Sequence, residues 1–317
     1  MSSLSLFPFS SLSNAQLSAN FNATPDSINN IDLDLKKMLV ENLTEEITEA
    51  LEFKYYTPCQ LNDLANRYKC NVKLSMFHVN VRSLNANCNN LISFLHSLSF
   101  NFDVIIISEV WSTDLQYYFC LLPNYDFFCD PPVSRAGGVV IFVKRSLKAV
   151  QTSRYDAPLS INKSCHYEHV WIEINVDNCN YVIGGYYRHP NTPVKDFTDD
   201  FLYTLDKLKN LKRCYAFGDF NVCLANYSHH VITSEYIDAV FDSKFLPYVF
   251  MPTRFTNHSA SIIDHVYSND LFVGNHVCKT GLIINDIADH CANLMFLIDN
   301  DLKVKKNNTP IESLRNF

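Results

Sequence analysis

Seven glycines and twelve prolines in 317 residues are too few for a collagen-like or linker-like chain. Charged residues make up only 19%, against 47% hydrophobic and 13% aromatic, which excludes intrinsic disorder over most of the length. The eleven cysteines contain no CxxC pair and are spread from Cys59 to Cys291, so neither a zinc module nor a disulfide framework fits them. They read as reduced thiols, which places the protein in a reducing compartment, nuclear or cytoplasmic. No uncharged apolar run reaches the roughly 18 residues of a membrane span, so no transmembrane helix and no membrane partner are expected. The first twenty residues lack a basic stretch, and Ser, Pro and Asn interrupt their apolar positions, unlike a signal peptide. Also missing are a GxSxG nucleophile motif and a Walker-type glycine-rich loop.

The net charge of -7 is unevenly placed. Between Asp26 and Lys54 eight acids face three lysines, whereas residues 131–215 carry twelve basic residues against eight acids. A polyanionic partner is therefore not disfavoured by the total. Residues 1–28, rich in Ser, Asn and Leu without periodicity, read as a mobile tail. Ile31, Leu35, Leu39, Leu43 and Ile47 recur at near-helical spacing, so 29–72 reads as an acidic helical N-terminal extension. The main domain spans 73–299, and 300–317 reads as a polar C-terminal tail.

Within 73–299 short apolar runs bounded by turn residues predict many strands, at 73–81, 103–110, 125–130, 137–145, 168–176, 180–188, 214–220, 261–268 and 291–299. Helical spacing appears at 90–98 and at 196–211, where Phe197, Phe201, Leu205 and Leu208 share one face. Uninterrupted apolar strands such as VVIFV need cover on both faces. The fold class is α/β: a four-layered α/β sandwich with two packed mixed β-sheets flanked by helices. Phe197-Thr-Asp-Asp200 superficially matches a polymerase signature, but it follows polar NTPVK and opens an amphipathic helix, where first-turn Asp is favoured by the helix dipole.

Polar residues gather where the strands end, the place at which an α/β scaffold presents reactive groups. Asn80 follows KLSMF, Glu109 follows VIIIS, and Tyr187, Arg188 and His189 follow VIGG. Asp219 and Asn221 follow YAFG, Asp264 and His265 interrupt IIDHVY, and Asp289 and His290 precede CANLMFLI. No single one of these is diagnostic; the ordered set is.

The phrases FHVNVRSL, FDVIIISEVW, RAGGVVIFVK, YYRHPN, CYAFGDFN, PTRF, SIIDHVYSN and ADHCANLM resemble, in order and separation, the endonuclease/exonuclease/phosphatase superfamily. Within it they are most similar to the endonuclease domain of non-LTR (LINE-type) retrotransposons. The resemblance spans roughly 73–299. It implies a DNA substrate and a parent polyprotein with a reverse transcriptase domain, or an element RNA-protein complex, as partner; this chain stops before such a domain.

Phosphodiester hydrolysis needs an activated water, charge stabilisation on the non-bridging oxygens and help for the leaving oxygen. Glu109 is the main candidate ligand for Mg2+, with Mn2+ as a substitute. Asn80 either orients Glu109 or joins the metal shell, and the resemblance implies that Asp289 acts through a metal-bound water. Asp264 and His290 are expected to pair, Asp264 raising the His290 pKa so that the imidazolium faces the phosphate. Asp219 positions or deprotonates the water, and Asn221 either bonds the phosphate or holds Asp219. Tyr187 resembles the family tyrosine near the leaving group, its neighbour Tyr186 being directed to the other face by strand alternation. Thr253 and Arg254 either contact DNA backbone or form a plain turn, and Arg188 is a third DNA-binding candidate.

Two departures stand out. Ala288 occupies the place of a family serine, and Arg82 lies two residues after Asn80, where apurinic/apyrimidinic endonucleases carry an acid. The leading expectation is a Mg2+-dependent endonuclease nicking target DNA for target-primed reverse transcription. The alternatives are a phosphatase or phosphodiesterase acting on phosphoinositides or small phosphoesters, or a decayed, inert element copy.

Overall fold

Strands that are apolar on both faces cannot lie at a surface, and the computed structural model shows how these are covered. It describes residues 54–69, 71–132, 136–158, 166–256, 258–270 and 276–299. The tail expected over 1–28, the acidic helix over 29–53 and the polar tail over 300–317 lie outside the described residues.

Fifteen strands are described: β1 (Tyr55–Tyr56), β2 (Val72–Asn80), β3 (Val104–Ser108), β4 (Tyr125–Asp130), β5 (Val139–Lys144), β6 (Val150–Thr152), β7 (Tyr167–Val176), β8 (Cys179–Arg188), β9 (Cys214–Asp219), β10 (Leu246–Pro247), β11 (Arg254–Phe255), β12 (Ala260–Ser261), β13 (Asp264–Ser268), β14 (His276–Ile283) and β15 (Ala292–Asp299). They form one sheet in the order β1-β14-β15-β2-β3-β5-β4 and a second in the order β10-β13-β9-β8-β7-β6, with β11-β12 as a separate ribbon. The described helices of more than one turn are α1 (Pro58–Tyr68), α2 (Leu84–Ser97), α3 (Val194–Leu208) and α4 (Val231–Asp242).

Side-chain alternation divides the core. Leu74 and Met76 of β2, Val104 and Ile106 of β3, and Val139, Ile141 and Val143 of β5 face the second sheet. The intervening Phe77, Val79, Ile105, Ile107, Val140 and Phe142 pack against Leu61 and Leu64 of α1 and Leu84, Leu91 and Phe94 of α2. Phe197, Phe201, Leu205 and Leu208 of α3, with Tyr236, Ile237 and Val240 of α4, cover the outer face of the second sheet. The result is the four-layered sandwich of two mixed sheets between helices. Phe197 through Asp200 lie within α3, as a helix and not as a hairpin tip.

Three boundaries differ from the sequence reading. Residues 54–69 and 71–72, assigned there to the N-terminal extension, are built into the fold: β1 pairs in parallel with β14, and α1, capped by reciprocal Thr57 and Gln60 hydrogen bonds, covers the first sheet. The strand expected over 103–110 stops at Ser108, because Glu109 takes a left-handed φ of 56°. The strand expected over 261–268 breaks at Ile262 and Ile263, whose carbonyls turn to accept Leu224 N–H and Phe220 N–H at 3.0 and 2.9 Å.

Candidate active site

Each large sheet has a parallel pair at its centre, β2–β3 in the first and β8–β9 in the second, and the C-terminal ends of both pairs reach the same edge of the sandwich. Antiparallel β13 and β15 begin at that edge. Asn80, Glu109, Tyr187, Asp219, Asp264 and His290 therefore meet, although 210 positions separate the first from the last. In the registers, Tyr187 lies opposite Asp219 and Asp219 opposite Asp264.

Asn80 joins the two sheets. Its Nδ2 donates to Glu109 Oε1 and to Asp219 Oδ2, both at 2.8 Å, while its Oδ1 accepts the Arg82 N–H at 3.0 Å. These bonds tie Asn80 to both carboxylates. Asp219 Oδ1 accepts the Asn221 N–H at 3.0 Å, and Asn221 Nδ2 donates to the Arg188 carbonyl at 2.7 Å. Asn221 thus braces the strand exit at Asp219. Tyr187 is buried; burial, followed by the Glu109 charge, raises its pKa, so its hydroxyl keeps its proton. Tyr186 points to the opposite face, where its ring stacks on Phe220.

His290 Nδ1 donates to Asp264 Oδ2 at 2.8 Å, and both side chains are almost without solvent contact. Burial alone would lower the imidazole pKa, but the Asp264 carboxylate outweighs it and holds His290 at about 9. Conversely, burial would raise Asp264, and the His290 charge and hydrogen bond keep it below the usual carboxylate range. Asp219 differs: burial and the adjacent Asp264 charge push it up to about 8. Asp219, Asp264 and His290 place one ligand-type atom each within 4.8 Å of the others. His290 Nδ1 is already committed to Asp264, so Nε2 is the nitrogen left to face a ligand or a cation.

The backbone around this group is unusual. Arg82, Ser83, Glu109, Trp111 and Asn221 all have positive φ, at 42°, 86°, 56°, 55° and 49°. Such conformations persist where surrounding contacts fix them, and they gather at functional sites. Here Ser83 N–H bonds the Glu109 carbonyl at 2.8 Å, and Trp111 N–H bonds the Gly137 carbonyl at 2.9 Å. Gly137 itself has φ +107°, and a Cβ on it would meet Glu168 and His189 at 2.9 Å.

The structure corrects two of the expected DNA contacts. Arg188 is 2% exposed. Its guanidinium donates to the carbonyls of Phe220, His189, Thr192 and Asn221, so it is a buried clamp that cannot reach a nucleic acid. Thr253 is fully buried, and its Oγ1 donates to Asp264 Oδ2 at 2.6 Å while accepting Asp264 N–H at 3.1 Å. It positions Asp264. Arg254 is partly exposed, and its Nε donates to Asp289 Oδ2 at 3.0 Å. Asp289, expected to act at the metal, has Arg82 Nη1 3.1 Å from its other oxygen.

Sequence reasoning passed over His78, buried beneath the site. It faces the same side of β2 as Asn80, two residues on, so strand periodicity alone could have found it. Its Nε2 lies 3.1 Å from Ser108 Oγ and its Nδ1 3.3 Å from Asn293 Nδ2, and burial lowers its pKa to about 4. A neutral imidazole there adds no charge under the acids.

Comparison with known proteins agrees with this geometry. Residues 80–290 match the model of the endonuclease/exonuclease/phosphatase family. Among curated proteins no sequence matches. Among solved structures, the endonuclease domain of TRAS1, a telomere-specific non-LTR retrotransposon, superposes with a TM-score of 0.55 at 12% identity over 72% of this chain and 99% of that one. The 3' phosphatase NExo from Neisseria, bound to a product DNA hairpin, gives 0.55 at 13% over 71% and 99%. D. rerio TDP2 complexed with a single-strand DNA product gives 0.52 at 14% over 71% and 98%. At these identities the likeness is one of fold.

Proposed function

The chain belongs to the endonuclease/exonuclease/phosphatase family of phosphoester and phosphodiester hydrolases, and on that premise we propose that it is a DNA endonuclease. It nicks one strand of target DNA in the presence of Mg2+, or Mn2+ in its place, and leaves a 3'-hydroxyl for target-primed reverse transcription of a non-LTR retrotransposon. Its partners are DNA and the element's reverse transcriptase domain or RNA-protein complex. Its setting is a reducing compartment, nuclear or cytoplasmic; all nine described cysteines are free. Among the described residues no helix is long and apolar enough to cross a membrane.

The observation that carries this reading is the grouping of a proton-accepting carboxylate, Asp219, with an imidazolium, His290, that Asp264 and Thr253 fix in place. Asp219 titrates at about 8, close to neutrality, which suits a general base. It takes the proton of the attacking water as the new bond to phosphorus forms. His290 donates a hydrogen bond to a non-bridging oxygen, where charge accumulates. Tyr187, its hydroxyl kept protonated, donates a hydrogen bond to the leaving 3'-oxygen, which takes a proton from solvent as that bond to phosphorus breaks. The products are a 5'-phosphate and a 3'-hydroxyl.

The donor set suits a hard divalent cation: it is rich in carboxylate oxygen, and Asp264 Oδ1 is buried with no hydrogen-bond partner. Glu109, oriented by Asn80, is the residue to hold it. Asp289 Oδ1, 3.1 Å from Arg82 Nη1, is likewise buried without a hydrogen-bond partner, so Asp289 is a second candidate ligand beside Glu109. A bound cation supplies further charge stabilisation to the phosphate.

The test is nicking of supercoiled plasmid with Mg2+, comparing the unaltered protein with Glu109→Ala and His290→Ala. Relaxed circles from the unaltered protein and none from the variants are expected. Intact plasmid together with turnover of phosphoinositides or small phosphoesters would favour the phosphatase alternative, and inactivity toward every substrate would favour a decayed copy.

A further inference from the structure

Beside His290 lies an ion cluster whose two arginines the catalytic roles above leave unused. Asp289 sits between two guanidiniums, with Arg82 Nη1 3.1 Å from Oδ1 and Arg254 Nε 3.0 Å from Oδ2. Two positive charges against one negative leave the cluster at +1. Exposure rises outward: the His290 side chain is 2% exposed, Asp289 24%, Arg254 35% and Arg82 47%. The cluster therefore lies between the buried dyad and solvent, one step out from the reacting centre.

Its attachments are rigid. Arg82 is fixed at φ 42°, its N–H bonded to Asn80, the residue that links Glu109 and Asp219. Arg254 bridges to His290 in the backbone, while the flanking Phe255 N–H bonds the Asp289 carbonyl at 3.2 Å and Cys291 N–H bonds the Thr253 carbonyl at 2.7 Å. Each guanidinium offers five N–H donors in a planar fork, of which the Asp289 contact engages only part. The charges of Glu109 and Asp219 also act on Arg254.

We infer that Arg82 and Arg254, aligned by Asp289, form a binding site for a backbone phosphate adjoining the one cleaved. This rests on the nucleic-acid reading above. The ligand is a phosphodiester anion of the strand leaving the site, and Asp289 is the positioning residue of the pair. Asp289 Oδ1 lies 3.9 Å from His290 Nε2, so this site adjoins the dyad, and a DNA strand has a second phosphate to offer it.

The test compares two substrates. One is a DNA duplex; the other is a nucleoside p-nitrophenyl phosphodiester, which carries only the bond to be cleaved. Arg82→Ala is expected to raise the KM for DNA about 10-fold, to reduce the ratio of DNA to small-substrate kcat/KM by a similar factor, and to lower the salt slope of DNA binding by about 1. Arg82→Lys, which keeps charge without the fork, should restore the salt slope and only part of the KM. Arg145→Ala, at an ion pair with Asp126 remote from the site, is the control. Equal losses on both substrates would overturn the inference, placing Arg82 on the scissile phosphate, as would an unchanged KM and salt slope on DNA. If the unaltered protein hydrolyses only the small substrate, the nucleic-acid reading itself fails, which these outcomes distinguish.

Discussion

His290 and Asp264 share a 2.8 Å hydrogen bond from imidazole Nδ1 to carboxylate Oδ2, with 2% and 0% of their side chains exposed. The pair is stable as an ion pair because Thr253 Oγ1 donates to the same oxygen, so the charge of Asp264 is solvated by the protein. Asp264→Asn keeps the shape and removes the charge that holds His290 near 9. Nicking is expected to fall about 10³- to 10⁴-fold, by analogy with other imidazole–carboxylate sites. NMR titration of His290 in the variant should show its pKa at or below the ordinary 6.5.

Thr253→Val removes one hydrogen bond to Asp264 while keeping the volume of the side chain. A loss in kcat of about 10-fold is expected from a residue that orients a catalytic partner. The KM for DNA should stay where it is, because Thr253 is buried and touches no substrate; a rise in KM alone would indicate a DNA contact instead.

Arg188→Lys tests the other corrected residue. A lysine cannot serve four carbonyls from one nitrogen, so buried acceptors lose their partners and stability should fall by about 3 kcal/mol. The melting temperature reads this directly.

Activity should follow a bell-shaped pH profile. Its acid limb reports Asp219, at about 8 and lower with a cation bound; its alkaline limb reports His290, at about 9. Stability carries the same signature. The folded His290 pKa lies above the unfolded 6.5, so in the window from 6.5 to about 9 the folded state binds more protons than the unfolded one. Stability from His290 is complete below 6.5 and declines as pH rises through 9. Asp219, also raised, adds a decline in the same direction between 3.8 and about 8. The melting temperature should therefore fall between pH 6.5 and 9, and His290→Gln should flatten part of that fall.

The sequence disclosed the layers and most of the site, for identifiable reasons. β5 and β3 are apolar up to their last residues, Lys144 and Ser108, because helices cover one face and the second sheet the other, so composition alone announced them. Asn80, Glu109, Asp219 and Asp264 interrupt or end apolar runs, which made them visible. β14 was not, because Lys279, Thr280 and Gly281 break its pattern. The glycine is there because the Tyr56 ring lies where a side chain would go, a contact with no local trace. α4 exposes Val231 and Ile232, which blurs its helical stripe. Arg188 and Thr253 were misjudged for a common reason: residue type announces what a side chain could bind, while only the fold reveals that carbonyls and a carboxylate already occupy it.

The most direct test is the chemistry of the nick. Supercoiled plasmid incubated with the protein and Mg2+ is deproteinised and offered to a DNA polymerase with labelled nucleotides, with and without prior phosphatase treatment. Immediate extension from the nicks, lost in Asp219→Asn, is the outcome expected of hydrolysis that leaves a 3'-hydroxyl. Nicks that extend only after phosphatase treatment, or an Asp219→Asn protein that nicks as well as the unaltered one, would contradict the account.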